Sequence, residues 1–222
     1  MALFLGDLIP AQVNYLNSIQ DKLRNGAILS AQFNHEFIDA YTKETSRNEG
    51  SIWIGWQQYR IETVGQIIVV NGELSKVLDR GRNRVIISEY DSELDDFAPS
   101  KIIGGLGNTY QVVDTKSRHN TQEFNLQSSD SFSTFEQMSI RIDSDLKPVD
   151  LSALDMGANR MQTSFSEVKY LPYSSNLFEL IMLRLEEMKD YKTSLIKIIE
   201  SAKKNPFLLS RISNNVMNSL DF

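Results

Sequence analysis

No cysteine occurs anywhere in the chain, and histidine occurs only twice, as His35 and His119. The first absence excludes thiol nucleophiles, thiolate metal sites, redox pairs and disulfides. The second means that a histidine-built zinc site needs both imidazoles and carboxylates besides. Neither histidine sits in a context that suggests Ser-His-Asp catalysis. His119 falls in the polar stretch Lys116–Asn120, and His35 stands beside Glu36. Chemistry is left to carboxylate, lysine, hydroxyl and backbone groups.

Long hydrophobic runs are absent as well. None approaches the roughly 18 residues of a membrane-spanning helix. The first residues, Met1–Asp7, lack a basic segment and a small-residue cleavage pattern, so no signal peptide is expected. The expectation is a soluble chain, cytoplasmic at synthesis. Positive charge is in deficit too. Twenty-three Lys and Arg face 29 Asp and Glu, for a net charge of −6 and a pI near 5.0. Neutralising phosphates takes clustered cations, so nucleic acid is not expected as the main partner.

What is present is a 222-residue chain, 41% hydrophobic and rich in Ser and Asn. That length suffices for a real core without disulfides or metals. Ile9, Val13, Leu16, Ile19 and Leu23 recur at helical spacing, which predicts a helix over 7–25 ended by Asn25-Gly26. Phe33, Phe37, Ala40 and Tyr41 predict a second helix over 30–45. From residue 51 the composition becomes strand-like. Candidates are 52–61, 66–70, 73–78, 84–88, 101–103, 109–114, 135–142 and 161–171. Asn71-Gly72 predicts a hairpin with a type I′ turn between 66–70 and 73–78. Residues 115–133 and 143–160 are polar and are expected as long loops. Asn176 with Glu179 reads as a capping box, opening helices over 176–203 and 206–219. The fold expected is α+β: a mainly antiparallel β body, sandwich or barrel-like, flanked by an N-terminal helical pair and two C-terminal helices. Residues 1–50, 51–171 and 172–222 form its three parts within one structural domain.

Several residue sets bear on function. Asp155 with Glu167-x-Lys169 has the residue types of a magnesium-dependent nuclease of the PD-(D/E)xK type. There, two carboxylates hold the metal and a lysine on the same strand face supports the attacking water. The bland alternative is a solvent-facing Glu–Lys pair. Glu89, Asp91, Glu93 and Asp95 alternate and would share one face of an extended strand. An EF-hand starting at Asp91 fails, because Asp96 and Ile102 stand where Gly and Glu are required. Arg80, Arg82 and Arg84 precede this acidic run, so the two segments suit pairing with each other or with opposite patches on adjacent copies. Gly104-Gly105-Leu106-Gly107 leads into a strand-like segment, not a helix, and is no phosphate loop. Trp53, Trp56 and Tyr59 form an aromatic group; an exposed indole there would anchor a partner.

The reading that follows is a non-enzymatic structural or assembly protein, a phage or viral particle component that contacts copies of itself and several protein partners. Its partner-binding residues would be Trp53, Trp56, Arg80, Arg82, Arg84, Glu89, Asp91, Glu93 and Asp95. No metal or cofactor is expected. The alternative is the nuclease built on Asp155, Glu167 and Lys169. A partner-binding adaptor using the C-terminal helices is a third reading.

Overall fold

The computed structural model describes residues 9–92, 95, 98–103, 110–128 and 133–179. Two compact units divide the chain, Met1–Glu179 and Leu180–Phe222. The expected C-terminal helices 176–203 and 206–219 therefore lie almost wholly outside the described residues. Only Ser175–Phe178 is seen there, as one 3₁₀ turn.

The first unit is built on a single sheet of eleven strands. These are β1 (Ala27–Ile38), β2 (Thr45–Ile54), β3 (Tyr59–Thr63), β4 (Gln66–Val70), β5 (Leu74–Asp79), β6 (Arg84–Glu89), β7 (Tyr110–Arg118), β8 (Thr121–Ser128), β9 (Phe135–Asp143), β10 (Pro148–Asp155) and β11 (Arg160–Pro172). Their order is β6-β5-β4-β3-β2-β1-β11-β10-β9-β8-β7, and every neighbouring pair is antiparallel. Two meanders thus meet where β1 pairs with β11. Among the described residues two helices accompany the sheet, α1 (Ile9–Arg24) and the five-residue α2 (Pro99–Ile103). Among the described residues, the expected sandwich or barrel-like body behind an N-terminal helical pair is replaced by one sheet with two short helices.

The second N-terminal helix is the largest correction. Residues 27–38 form β1 instead. Phe33 and Phe37 do stand four apart, but Phe33, His35 and Phe37 also alternate with Gln32, Asn34 and Glu36. The period of two wins because both edges of β1 are paired. Tyr41, taken as part of a helical face, is 95% exposed. The expected loops 115–133 and 143–160 are largely strand. β7 and β8 make a hairpin, and β10 lies between β9 and β11. Their polar sequences misled because one face of each is wet; β7, an end strand, is mostly exposed along its length. Conversely Lys101-Ile102-Ile103, read as strand, is α2. The predicted hairpin at Asn71-Gly72 exists with a shifted turn. Asn71 N donates to Leu74 O, so Gly72 and Glu73 are the turn residues. Gly72 carries a φ of 97°, and Gly at the first turn position belongs to type II′ rather than I′.

The main core cluster lies on one face of the sheet, the inner face, while Ile28, Ile67 and Val69 are buried on the other. Leu16, Ile19 and Leu23, one stripe of α1, pack with Leu29, Phe124, Ile140 and Ile142. Tyr15 closes this end: its hydroxyl donates to the Asp143 carbonyl at 3.0 Å, and its ring lies 6.1 Å from Phe124. On the outer face the register sets polar residues in rows. Arg47, Glu36, Gln162, Ser152, Ser139 and Asn125 stand side by side across β2, β1, β11, β10, β9 and β8. Alternation of apolar-in and polar-out is what an antiparallel sheet with one wet face requires.

β2 and β3 approach each other closely at Gly50. A Cβ built there would overlap the carbonyl oxygen of Glu62 and press on Phe33. Farther along, the outer face of β3 receives the 3₁₀ turn. The Arg60 guanidinium donates to the carbonyls of Leu177 (3.4 Å) and Glu179 (3.2 Å), and Phe178 is buried.

Candidate functional site

The inner face is not filled throughout. Between the sheet and α2 lies a cavity of about 290 Å³. Its walls come from seven strands and from α2, and they are apolar over most of their extent. Phe33, Ile52, Ile61, Ile68, Met161 and Phe165 form the sheet side, while Pro99, Ile102 and Ile103 of α2 form the other. Five polar residues line it as well: His35, Asn48, Thr63, Gln66 and Thr163. The volume lies at the low end of the ~300–1,000 Å³ of small-molecule pockets, and an apolar lining with few convergent polar groups is the usual character of such sites.

Register brings three of them together. His35 on β1 stands directly between Asn48 on β2 and Thr163 on β11. All three therefore point to the inner face, one step beyond Phe33 and Phe165. His35 Nδ1 and Thr163 Oγ1 lie 2.9 Å apart. Burial penalises the imidazolium and holds the pKa of His35 below its ordinary value. Thr63, itself buried, exchanges hydrogen bonds with Gln66 across the β3–β4 turn at 3.2 and 3.3 Å. These five residues offer neutral donors and acceptors, and the lining holds no carboxylate or ammonium group. Its chemistry is binding.

The segment that carries α2 is pinned back to the sheet. Asp95 Oδ2 accepts from the Tyr59 hydroxyl at 3.0 Å and from the Tyr90 hydroxyl at 2.9 Å. The two rings meet edge to face at 6.3 Å. Burial first, then the Asp95 carboxylate, raises the pKa of both phenols well above the ordinary tyrosine value.

The residues singled out in the sequence are dispersed. Asp155 ends β10 and serves its own turn, accepting from Asn159 N at 2.9 Å and Asn159 Nδ2 at 2.8 Å. Glu167 lies in a bulge of β11, where two residues oppose the single Ala31. Leu154 pairs with Arg160, so seven residues of β11 separate the level of Asp155 from Glu167, about 23 Å at ~3.3 Å per residue. The bulge also breaks the i,i+2 relation that was to align Glu167 with Lys169. No group of three metal-ligating side chains occurs among the described residues. The nuclease reading fails on that geometry.

Arg80 is used internally, its guanidinium donating to the carbonyls of Thr63 (2.8 Å) and Val64 (3.3 Å). Arg82 pairs loosely with Asp79 at 3.8 Å. Arg84 and Glu89 open and close β6, both exposed. The strand ends at Glu89, so Asp91 and Asp95 do not continue a strand face with it; Glu93 lies outside the described residues. Trp56, 38% exposed, sits in the β2–β3 turn with the Arg24 guanidinium 4.4 Å above its ring. Trp53 lies under Arg60 at 5.9 Å. His119 occupies the β7–β8 turn with a φ of 50°. The sequence reading missed the cavity. Its one legible signal was Phe33-x-His35-x-Phe37, a polar residue alternating within an apolar strand face.

These features define a class: one large antiparallel sheet whose inner face holds an apolar cavity under a short helix. No family model and no curated protein matches the chain. Solved structures resemble it in part. An uncharacterised conserved protein of Thermus thermophilus aligns with a TM-score of 0.49 at 12% identity, over 75% of this chain and 92% of that one. A LolA superfamily protein of Nitrosomonas europaea aligns at 0.40 and 10%, over 77% and 99%. A putative outer membrane lipoprotein-sorting protein domain of Vibrio parahaemolyticus aligns at 0.40 and 10%, over 75% and 97%. The expectation of a phage or viral assembly subunit is overturned with its premises: the flanking N-terminal helical pair is absent, and the polar arms at 115–133 and 143–160 are mostly paired strands. No described helix is long and apolar enough to cross a membrane.

Proposed function

We propose that the chain is a non-catalytic carrier that binds the apolar part of a lipid-like molecule in the cavity beneath α2. One observation carries the reading: an apolar space of about 290 Å³ lined by a few neutral hydrogen-bonding groups. A well-packed core leaves few voids larger than a water molecule. A space of this size, roofed by a five-residue helix, suits a ligand that enters and leaves. Its volume favours one linear acyl chain or a small ring system over a lipid with several chains. The neutral row His35, Asn48 and Thr163 suits a hydroxyl, ester or amide on the ligand. Buried polar groups of this kind discriminate strongly against a ligand that leaves them unpaired. The sorting and LolA-superfamily descriptions of the similar structures are compatible with such a role.

The test is binding of a fluorescent acyl probe to the purified protein, with native mass spectrometry of any molecule it retains. Met161→Trp places an indole in the cavity from β11 and is expected to weaken probe binding at least tenfold, with an unchanged circular dichroism spectrum. Probe binding left intact by that substitution would remove the assignment, as would a protein that binds no apolar probe.

A further inference from the structure

β6 is an end strand with an unusual composition. Arg84-Val85-Ile86-Ile87-Ser88-Glu89 is exposed at every position, and Val85, Ile86 and Ile87 are 46%, 44% and 61% exposed. Among the described residues its far edge pairs with no other strand. Natural edge strands are normally blunted by charge, proline or a bulge; here three consecutive apolar residues reach the edge unblunted.

The geometry of that edge is specific. Tyr90 N donates to Glu73 O at 2.8 Å, in register with the β5–β6 ladder. Antiparallel alternation then turns the backbone groups of Ile86 toward β5 and those of Val85 and Ile87 outward. Ile86 also ends an apolar row on the inner face, Ala31–Ile52–Ile61–Ile68–Val77–Ile86, in which each residue stands opposite the next.

We propose that β6 is a self-association edge, on which a second copy of this chain adds its own β6 antiparallel about a two-fold axis through Ile86. A two-fold axis normal to the sheet keeps inner faces on one side, so residues of the same face must oppose one another. With Ile86 on the axis, Ile86 meets Ile86 of the other copy, and Val85 meets Ile87. Val85 and Ile87 then exchange backbone hydrogen bonds, and each apolar side chain faces another. The two inner-face rows join end to end. Charge selects the direction. Antiparallel pairing sets the basic turn Arg82–Arg84 of each copy beside Ser88–Glu89 of the other, whereas a parallel approach would set arginine against arginine. Neither Arg84 nor Glu89 has an ion-pair partner among the described residues. A symmetric, self-complementary patch is what a closed dimer requires. Six residues a side is a small contact, so the dimer is weak and concentration-dependent.

The chain's lack of cysteine makes the test clean. Ile86→Cys sets two thiols across a non-hydrogen-bonded pair, where Cα atoms lie about 4.5 Å apart, within disulfide reach. Diamide, which takes up the two electrons and two protons, is expected to convert Ile86→Cys to a covalent dimer. Ser88→Cys, whose thiols would lie four residues apart along the strands, is expected to stay monomeric. Sedimentation of the unmodified protein should show dimer growing with concentration, and Ile86→Lys should abolish it at unchanged circular dichroism. The inference is overturned by a strict monomer across the series, by equal cross-linking of both cysteine variants, or by a dimer that Ile86→Lys leaves intact. Probe binding in the cavity is read separately and does not enter these outcomes.

Discussion

His35 Nδ1 lies 2.9 Å from Thr163 Oγ1, in the lining of a cavity whose walls are mostly apolar. The two residues are 128 apart in the chain, and only the β1–β11 pairing brings them together. The groups facing His35 across both ladders are neutral, Asn48 and Thr163. Glu36, Arg47 and Glu49 stand on the outer face. No carboxylate therefore offsets desolvation, and the imidazole is held below its ordinary pKa.

That shift fixes the sign of a pH effect. The unfolded chain binds the His35 proton more readily than the folded one, so stability rises with pH through this window. The contribution is present above the unfolded pKa and is lost as pH falls through the lower folded value. The urea midpoint should drop on going from pH 7.5 to pH 5. The drop should be smaller in His35→Gln, which keeps a polar group there and cannot titrate. An identical pH dependence in the two proteins would show that His35 does not carry it.

The Tyr59–Asp95–Tyr90 cluster predicts a different signal. Of the eight tyrosines, Tyr59, Tyr90 and Tyr170 have strongly raised pKa values, in each case through burial first. Ultraviolet titration of the folded protein should show late-ionising phenols well above pH 11. Because the folded state holds these protons more tightly, stability should fall as pH rises past the ordinary tyrosine pKa. In Asp95→Asn, Tyr59 and Tyr90 should ionise earlier and Tyr170 should not change. Two hydrogen bonds to a carboxylate are weakened in that variant, at a cost of about 1.5–3 kcal/mol. Release of a bound acyl probe should quicken as the segment bearing α2 loosens.

Gly50 is required by the β2–β3 approach. An alanine methyl would collide with backbone, the Glu62 carbonyl, rather than with a movable side chain. Relief needs the strands to part and the Phe33 ring to shift, so Gly50→Ala should cost at least about 1–3 kcal/mol in urea unfolding. Gly65, with open space around its Cβ position, is the control; Gly65→Ala should change stability by well under half that.

These variants also mark where the sequence was legible. α1 was, because Leu16, Ile19 and Leu23 repeat at helical spacing and all three are buried. The strands at 66–70 and 135–142 were, because their apolar residues are β-branched or alternate. β1 was not: its aromatic residues fit both periods, and only pairing with β2 and β11 decides between them. β7 and β8 were not, because an end hairpin with wet surfaces carries the composition of a loop. The cavity could not be read at all, since its walls are drawn from seven strands and one short helix scattered over residues 33–165. His35 was weighed as a catalytic group and set aside; its place in an alternating apolar face was the clue to a binding role.

Glu167 gives the last prediction, and it turns on backbone rather than on the carboxylate. Its φ of 53° lies in the left-handed region, where an L-residue pays about 1–2 kcal/mol. Ser166 and Glu167 are both exposed, and inward alternation resumes one position late, at Val168 and Tyr170. The bulge therefore lets β11 keep Phe165 and Val168 on the inner face with two residues between them. Glycine relieves the left-handed strain at some cost in unfolded-state entropy, so Glu167→Gly should be neutral or stabilising by up to about 1 kcal/mol. Glu167→Val adds a β-branched side chain where it fits worst and should destabilise by more than the left-handed penalty alone. Urea unfolding of the two variants decides the point. A glycine variant clearly less stable than the parent would mean that the Glu167 side chain, not the backbone, holds the bulge.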